Sequence, residues 1–127
     1  MFNNRWLLAG LIASLALTAN AGVIDQKLDQ YRAAGATTFS ADAGQALWHS
    51  DNGGRSCTQC HGADPAGVGK HVKTGKVIKP MAPSVNPQRY TNSRKIDKWF
   101  LRNCKWTLGR ECTAQEKGDF LVWIRGQ

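Results

Sequence analysis

Apolar residues recur at helical spacing in four separate stretches of this chain. In "VIDQKLDQYRAAG", Ile24, Leu28 and Tyr31 fall at i, i+4 and i+7, and Gly35 supplies a stop, so a short amphipathic helix is predicted. "TTFSADAGQALWHSDNGG" predicts a second helix, capped near Ser40 and ended before Asn52-Gly53-Gly54. "TNSRKIDKWFLRNC" predicts a third, with its cap among Thr91, Asn92 and Ser93 and an apolar stripe through Ile96, Trp99 and Phe100. The fourth starts at the capping box Thr113-x-x-Glu116 and buries Phe120, Leu121, Trp123 and Ile124. Between Cys57 and Pro87 the helical period lapses and Gly and Pro punctuate the chain. There "HVKTGKVIK" alternates polar and apolar residues about Thr74-Gly75, which predicts a small hairpin. No segment repeats and none is of low complexity. The pattern describes an all-α domain whose helices are too short to build a firm core alone.

The first residues change the domain bounds. "MFNNRWLLAGLIASLALTANA" has one basic residue, Arg5, then an apolar run from Trp6 to Leu17, and ends in the small-x-small triplet Ala19-Asn20-Ala21. That run is too short to span a bilayer, so residues 1–21 read as a cleaved secretory signal and residues 22–127 as a single domain. An uncleaved N-terminal anchor is the competing reading. Export places the domain in the periplasm.

Charge narrows the partners. Seventeen Lys and Arg against nine Asp and Glu give +8, and losing Arg5 with the leader leaves +7. There is no arginine-rich array with interleaved aromatics and no nucleic-acid module, so nucleic acid is not an expected partner. Lys70, Lys73, Lys76 and Lys79 recur every third residue around the expected hairpin. They suit a docking rim for an acidic partner, against the plainer reading of a solvated lysine surface.

The strongest motif is Cys57-Thr58-Gln59-Cys60-His61, the attachment sequence of c-type haem. Two thiols at this spacing form thioethers to the two vinyl groups of one porphyrin, and the adjacent histidine is then held where its imidazole can bind iron. A zinc site would need a second Cys/His pair at suitable spacing, and a redox CxxC pair would expect a βαβ context; neither is present. One covalently attached haem c also supplies the apolar core area that the domain lacks. Cys104 and Cys112 remain, and in an exported chain they suit a disulfide, with two separate thiols as the alternative.

Several side chains compete for the second axial position of the iron. Met81 is the single methionine after the leader, and methionine is the usual electron-transfer ligand. It lies before the third helix, and packing is its other role. His49 and His71 would give a bis-histidine site, and Lys105 could bind only when deprotonated. Asn103 continues the stripe of the third helix at its end, where an amide must find a partner or serve as a helix cap.

The order of helix, CxxCH, irregular loop, helix, ligand loop and terminal helix resembles the class I cytochromes c. Gly44 and Trp48 resemble that family's glycine/aromatic pair, Phe120 and Trp123 resemble the pair on the terminal helix that crosses it, and "KPMAPS" resembles the stretch that packs under the haem on the histidine side. More specifically, "WFLRNCKWTLGRECTAQEKGDFLVWI" with "MAPSVNPQRYT" and CxxCH resembles the sphaeroides haem protein (SHP) family of monohaem cytochromes c. The resemblance implies that His61 is the proximal ligand, that Asn103 binds ferric iron, and that Cys104 and Cys112 form a disulfide. It implies binding of O₂, NO and CO by the reduced protein, and in some members conversion of NO with O₂ to nitrate. It also implies a dihaem cytochrome c as electron donor, with a membrane cytochrome b upstream. An amide oxygen is a hard, weak ligand that suits Fe(III) better than Fe(II), so reduction is expected to release it. A gas carrier and an oxygen-reducing or nitric oxide dioxygenase enzyme need the same open iron, and these residues serve either. A Met81- or His-ligated electron shuttle is the competing function.

Overall fold

The structure is a computed structural model that describes residues 22–127; the expected signal sequence lies outside the described residues. Five helices and one minimal hairpin follow in the order α1 (Val23–Ala33), α2 (Ala41–His49), α3 (Thr58–His61), β1 (Gly69–Lys70), β2 (Val77–Ile78), α4 (Ser93–Leu108) and α5 (Ala114–Ile124). Among the described residues, no helix is long and apolar enough to cross a membrane.

The expected local signals act where they were read. The Ser40 hydroxyl caps α2 by accepting from the Ala43 N–H, and the Asn92 carboxamide oxygen caps α4 by accepting from the Lys95 N–H. Thr113 and Glu116 form a reciprocal capping box at the start of α5. The hairpin is smaller than the alternation suggests. Its antiparallel register pairs Gly69 with Ile78 and Lys70 with Val77, and residues 71–76 form the turn, closed by the His71 N–H donating to the Lys76 carbonyl at 2.8 Å.

The core is the crossing of α2 and α5. A β-carbon on Gly44 would lie 2.8 Å from Trp123 Cβ and 2.7 Å from the Asp119 carbonyl carbon, so only glycine permits this approach. Trp48, Leu121 and Ile124 are fully buried at the crossing. Buried Asp119 ties the two helices at their edge: one of its carboxylate oxygens accepts from the Ser40 N–H at 2.8 Å and from Gln115 Nε2 at 2.9 Å. Leu28 and Tyr31 of α1 pack on the same core.

Helix α4 is joined to α1 by a pair that the apolar pattern does not announce. Lys27 is 3% exposed and its ammonium donates to both oxygens of Asp97, at 2.6 and 2.7 Å. The stem fills core space while the head reaches the carboxylate at the edge. Helix α4 also runs further than the sequence pattern suggests. It passes Asn103 and ends at Leu108, capped by Gly109 in the left-handed region at φ 73°. Asn103 is therefore inside the helix, and the helix-cap reading of that residue is corrected.

A Gly44→Val substitution should push α2 and α5 apart and lower the stability of the holoprotein by about 1–3 kcal/mol or more, the usual cost of overpacking. A thermal melt followed by circular dichroism checks this; an unchanged Tm would contradict the crossing described here.

Candidate haem-attachment site

The attachment motif forms its own short helical turn. His61 donates its backbone N–H to the Cys57 carbonyl at 3.1 Å, so both thiols and the imidazole project from one turn of chain. Cys57 and Cys60 are free thiols, each half-buried. Beneath them lies Trp48, with its ring centroid 5.4 Å from that of His61. Its indole N–H donates to the Ala63 carbonyl at 3.1 Å, which fastens the segment after His61 to the helix crossing. Aromatic contacts continue from Trp48 to Phe120 and from Phe120 to Tyr90 and Phe100.

Burial, and secondarily the Arg89 guanidinium, push His61 down to about 4, so its imidazole is neutral and able to ligate across the physiological range. Its Nδ1 is buried with no hydrogen-bond partner among the described residues, and so is the hydroxyl of Tyr90. Tyr90 also holds a left-handed backbone at φ 60°, uncommon for a side-chain-bearing residue. Two free thiols, a neutral imidazole and unpaired buried polar atoms in one aromatic shell fit a covalently attached haem.

Helix α4 faces this segment from the other side. Burial pushes the Cys57 thiol up, and the side chain of Thr107, itself 5% exposed, partly offsets that push. Arg55 donates to the Trp106 carbonyl at 3.2 Å and lies over the Trp106 ring. Phe100, Asn103 and Thr107 form one ridge of α4, at i, i+3 and i+7. Asn103 thus stands between a ring that touches the core and a hydroxyl that touches an attachment cysteine. Contrary to the expectation of a buried stripe, Asn103 is exposed among the protein groups, and Trp99 is 46% exposed.

Cys104 and Cys112 are joined in a disulfide, each 7% exposed. It closes the α4–α5 corner directly after Asn103. Arg110 reinforces the corner by donating to both carboxylate oxygens of Glu116 at 2.8 and 2.9 Å.

The rivals for the iron have other environments. Met81 packs against the core cluster, and its backbone N–H and that of Ala82 both donate to the Pro65 carbonyl at 2.9 Å. That holds the methionine beside the exit of the attachment segment. His49 is exposed at the end of α2. His71 Nδ1 accepts the Lys73 and Thr74 N–H groups within the hairpin turn. Lys105 is exposed on α4.

Sequence reasoning passed over Thr107, Arg55, Arg89 and Tyr90. Thr107 was within reach, because it continues the Asn103 ridge once the helix is carried to Gly109. Arg89 is held by its donations to the Lys79 and Pro80 carbonyls, contacts that no local pattern marks.

Residues 34–124 match the family described as "Domain of unknown function (DUF1924)". The cytochrome c-type protein SHP of Cereibacter sphaeroides is 40% identical over 126 residues, covering 95% of this chain and 96% of that protein. A solved structure described as oxidised SHP, an oxygen-binding cytochrome c, has a TM-score of 0.77 at 42% identity, covering 82% of this chain and 96% of the other. The solution structure of Methylophilus methylotrophus cytochrome c'', described as giving insight into haem-ligand detachment, has a TM-score of 0.67 at 28% identity and covers 83% of this chain and 90% of the other.

Two outcomes test the α4–α5 corner. Replacing both Cys104 and Cys112 by Ala should cost about 2–3 kcal/mol in urea melts, from the released loop entropy. The Glu116 carboxyl is held below its ordinary range, first by the bond from Arg110. A carboxyl depressed in the folded state stabilises above its unfolded pKa, and that stability is lost as pH falls through the folded value. Glu116→Gln should therefore flatten the decline of stability below about pH 4.5, as read from urea melts between pH 7 and 3.

Proposed function

This chain belongs to the family of the cytochrome c-type protein SHP, and on that premise we propose that it is a periplasmic, redox-gated binder of diatomic gases. It is an all-α, class I-like cytochrome c with a single haem-attachment motif. The haem, when bound, would supply a one-electron couple and an iron able to take O₂, NO or CO. In this reading Cys57 and Cys60 hold the porphyrin covalently and His61 offers its neutral imidazole from one face.

Asn103 is the gate. Its carboxamide oxygen is a hard, weak donor that suits the ferric state and suits the ferrous state poorly. With haem bound, Asn103 would be the group able to leave a reduced iron, and its N–H would be available to hydrogen-bond an incoming gas. The observation that carries this is the Phe100–Asn103–Thr107 ridge, in which Thr107 lies near Cys57 while the Asn103 side chain makes no hydrogen bond to the described residues. Among the described residues, no hydrogen bond of the Asn103 side chain has to break for it to engage or withdraw. Its backbone stays put, because the disulfide and the Thr107 and Arg55 contacts hold α4 on both sides of the ridge. The description of an SHP as oxygen-binding, and of cytochrome c'' in terms of haem-ligand detachment, supports the same behaviour here. A dihaem cytochrome c as donor and a membrane cytochrome b upstream complete the proposal. Oxygen reduction or nitric oxide dioxygenation would proceed from the same open ferrous state.

Optical spectra of the holoprotein, oxidised and reduced, with and without CO, test the gate. A broad high-spin ferrous spectrum that converts fully with CO is the expected result. A sharp low-spin ferrous α-band indifferent to CO would overturn it and return the chain to an electron shuttle bound through Met81 or a histidine. Asn103→Ala should bind cyanide in the ferric form at least about tenfold faster, since no protein ligand then has to leave. Asn103→Met should give a low-spin ferrous band and CO binding at least about tenfold slower, because thioether suits ferrous iron.

A further inference from the structure

The β1–β2 hairpin carries a surface that gas binding does not use. From residue 65 to residue 96 the chain contains Lys70, Lys73, Lys76, Lys79, Arg89, Arg94 and Lys95 and no Asp or Glu. Four of these cations lie on the hairpin and its exit, and all four are exposed. A charge run alone is usually a solvated face. Here three valines stand exposed within residues 68–79: Val68 at 67%, Val72 at 52% and Val77 at 73%. Exposed β-branched residues set among charges of one sign have the make-up of an interface with an apolar centre and a charged rim.

The position of the hairpin gives this surface a use. Strand β1 lies directly against the attachment motif: a β-carbon on Gly69 would overlap the Cys60 carbonyl oxygen and lie 3.0 Å from His61 Cα. The outer side of this wall bears the lysines and valines, and its inner side is the backbone of the residues that hold haem in the reading above.

We propose that the valine-centred cationic hairpin, residues 68–79, is the docking site of an acidic one-electron donor protein, and that the electron enters on the Cys60–His61 edge. The inference rests on the haem reading given above. One electron leaves the donor's cofactor, which is oxidised, and reduces the haem iron from ferric to ferrous; no bond forms or breaks between the proteins. The lysines attract and orient a carboxylate-rich face, and the valines exclude water at its centre. An anionic membrane is the less suitable occupant. The hairpin has two-residue strands and valines interspersed with lysines, rather than an amphipathic helix with a continuous apolar face.

The test uses the holoprotein and flavodoxin, an acidic protein that donates single electrons. Changing Lys70, Lys73, Lys76 and Lys79 together to Gln should slow stopped-flow reduction by reduced flavodoxin at least about tenfold at low ionic strength and flatten its salt dependence. Val72→Ser with Val77→Ser should slow reduction while leaving the salt slope intact. Amide shifts of the wild-type protein with oxidised flavodoxin should map to residues 68–79, a readout independent of turnover. Arg94, Lys95, Lys98 and Lys105 changed together to Gln serve as a control of equal charge. Equal slowing by that control set, or an unchanged rate in the hairpin variant, would overturn the proposal. So would hairpin-dependent binding to phosphatidylglycerol vesicles with no effect on the flavodoxin rate. Dithionite reduction and CO binding should be the same in all variants; their loss in the wild-type protein would instead strike at the gas-binding reading.

Discussion

Where α2 crosses α5, the absence of a side chain on Gly44 lets Trp48 pass beneath the attachment segment with its ring 5.4 Å from His61. The remaining placements follow from that approach. Trp48 is 1% exposed and fastens the chain after His61 through its indole N–H. Phe120 and Trp123 stack around it from α5, and Asp119 carries the start of α2. A larger residue at position 44 would move the indole and with it the histidine. The close backbone contact is thus what holds the His61 imidazole in an aromatic, poorly solvated shell, where it stays neutral.

The opposite wall is built differently. Helix α4 is not a large contributor to the apolar core, and its hold on the rest of the molecule is made of specific contacts. Lys27 and Asp97 tie it to α1, Thr107 and Arg55 tie it to the attachment segment, and Cys104–Cys112 ties it to α5. Such contacts fix a backbone without covering the face between them. Asn103 lies on that uncovered face, beside Phe100 and Thr107. In the proposed function, an amide carried on a firmly held helix can move while the scaffold stays.

Charge and redox chemistry share one region of the chain. The long stretch free of carboxylates runs from just after the attachment motif to the first turn of α4. Its hairpin stands on the backbone of Cys60 and His61. In the further inference the electron arrives through this hairpin, and in the proposed function the gas would bind beside Asn103 of α4.

What the sequence by itself determined was local. The caps near Ser40, among Thr91–Ser93 and at Thr113 with Glu116, and the CxxCH motif, are complete within a few residues, so their signals need no tertiary context. The pairing of Gly44 with the terminal helix was legible too, although through resemblance rather than spacing. The reach of α4 was not, because its polar ridge after Phe100 looks like a helix end until Gly109 is seen to hold the left-handed cap. Nor was the exposure of Trp99 and Asn103, since a periodic stripe names a face without saying what covers it. Buried Lys27 reads as an ordinary surface cation, and its partner Asp97 lies in another helix. Thr107 on Cys57 and Arg89 beside His61 likewise join segments far apart in the chain. Periodicity and caps carry information over one or two turns. Which helix face meets which thiol was decided only when the helices packed, because that depends on how closely their backbones can approach.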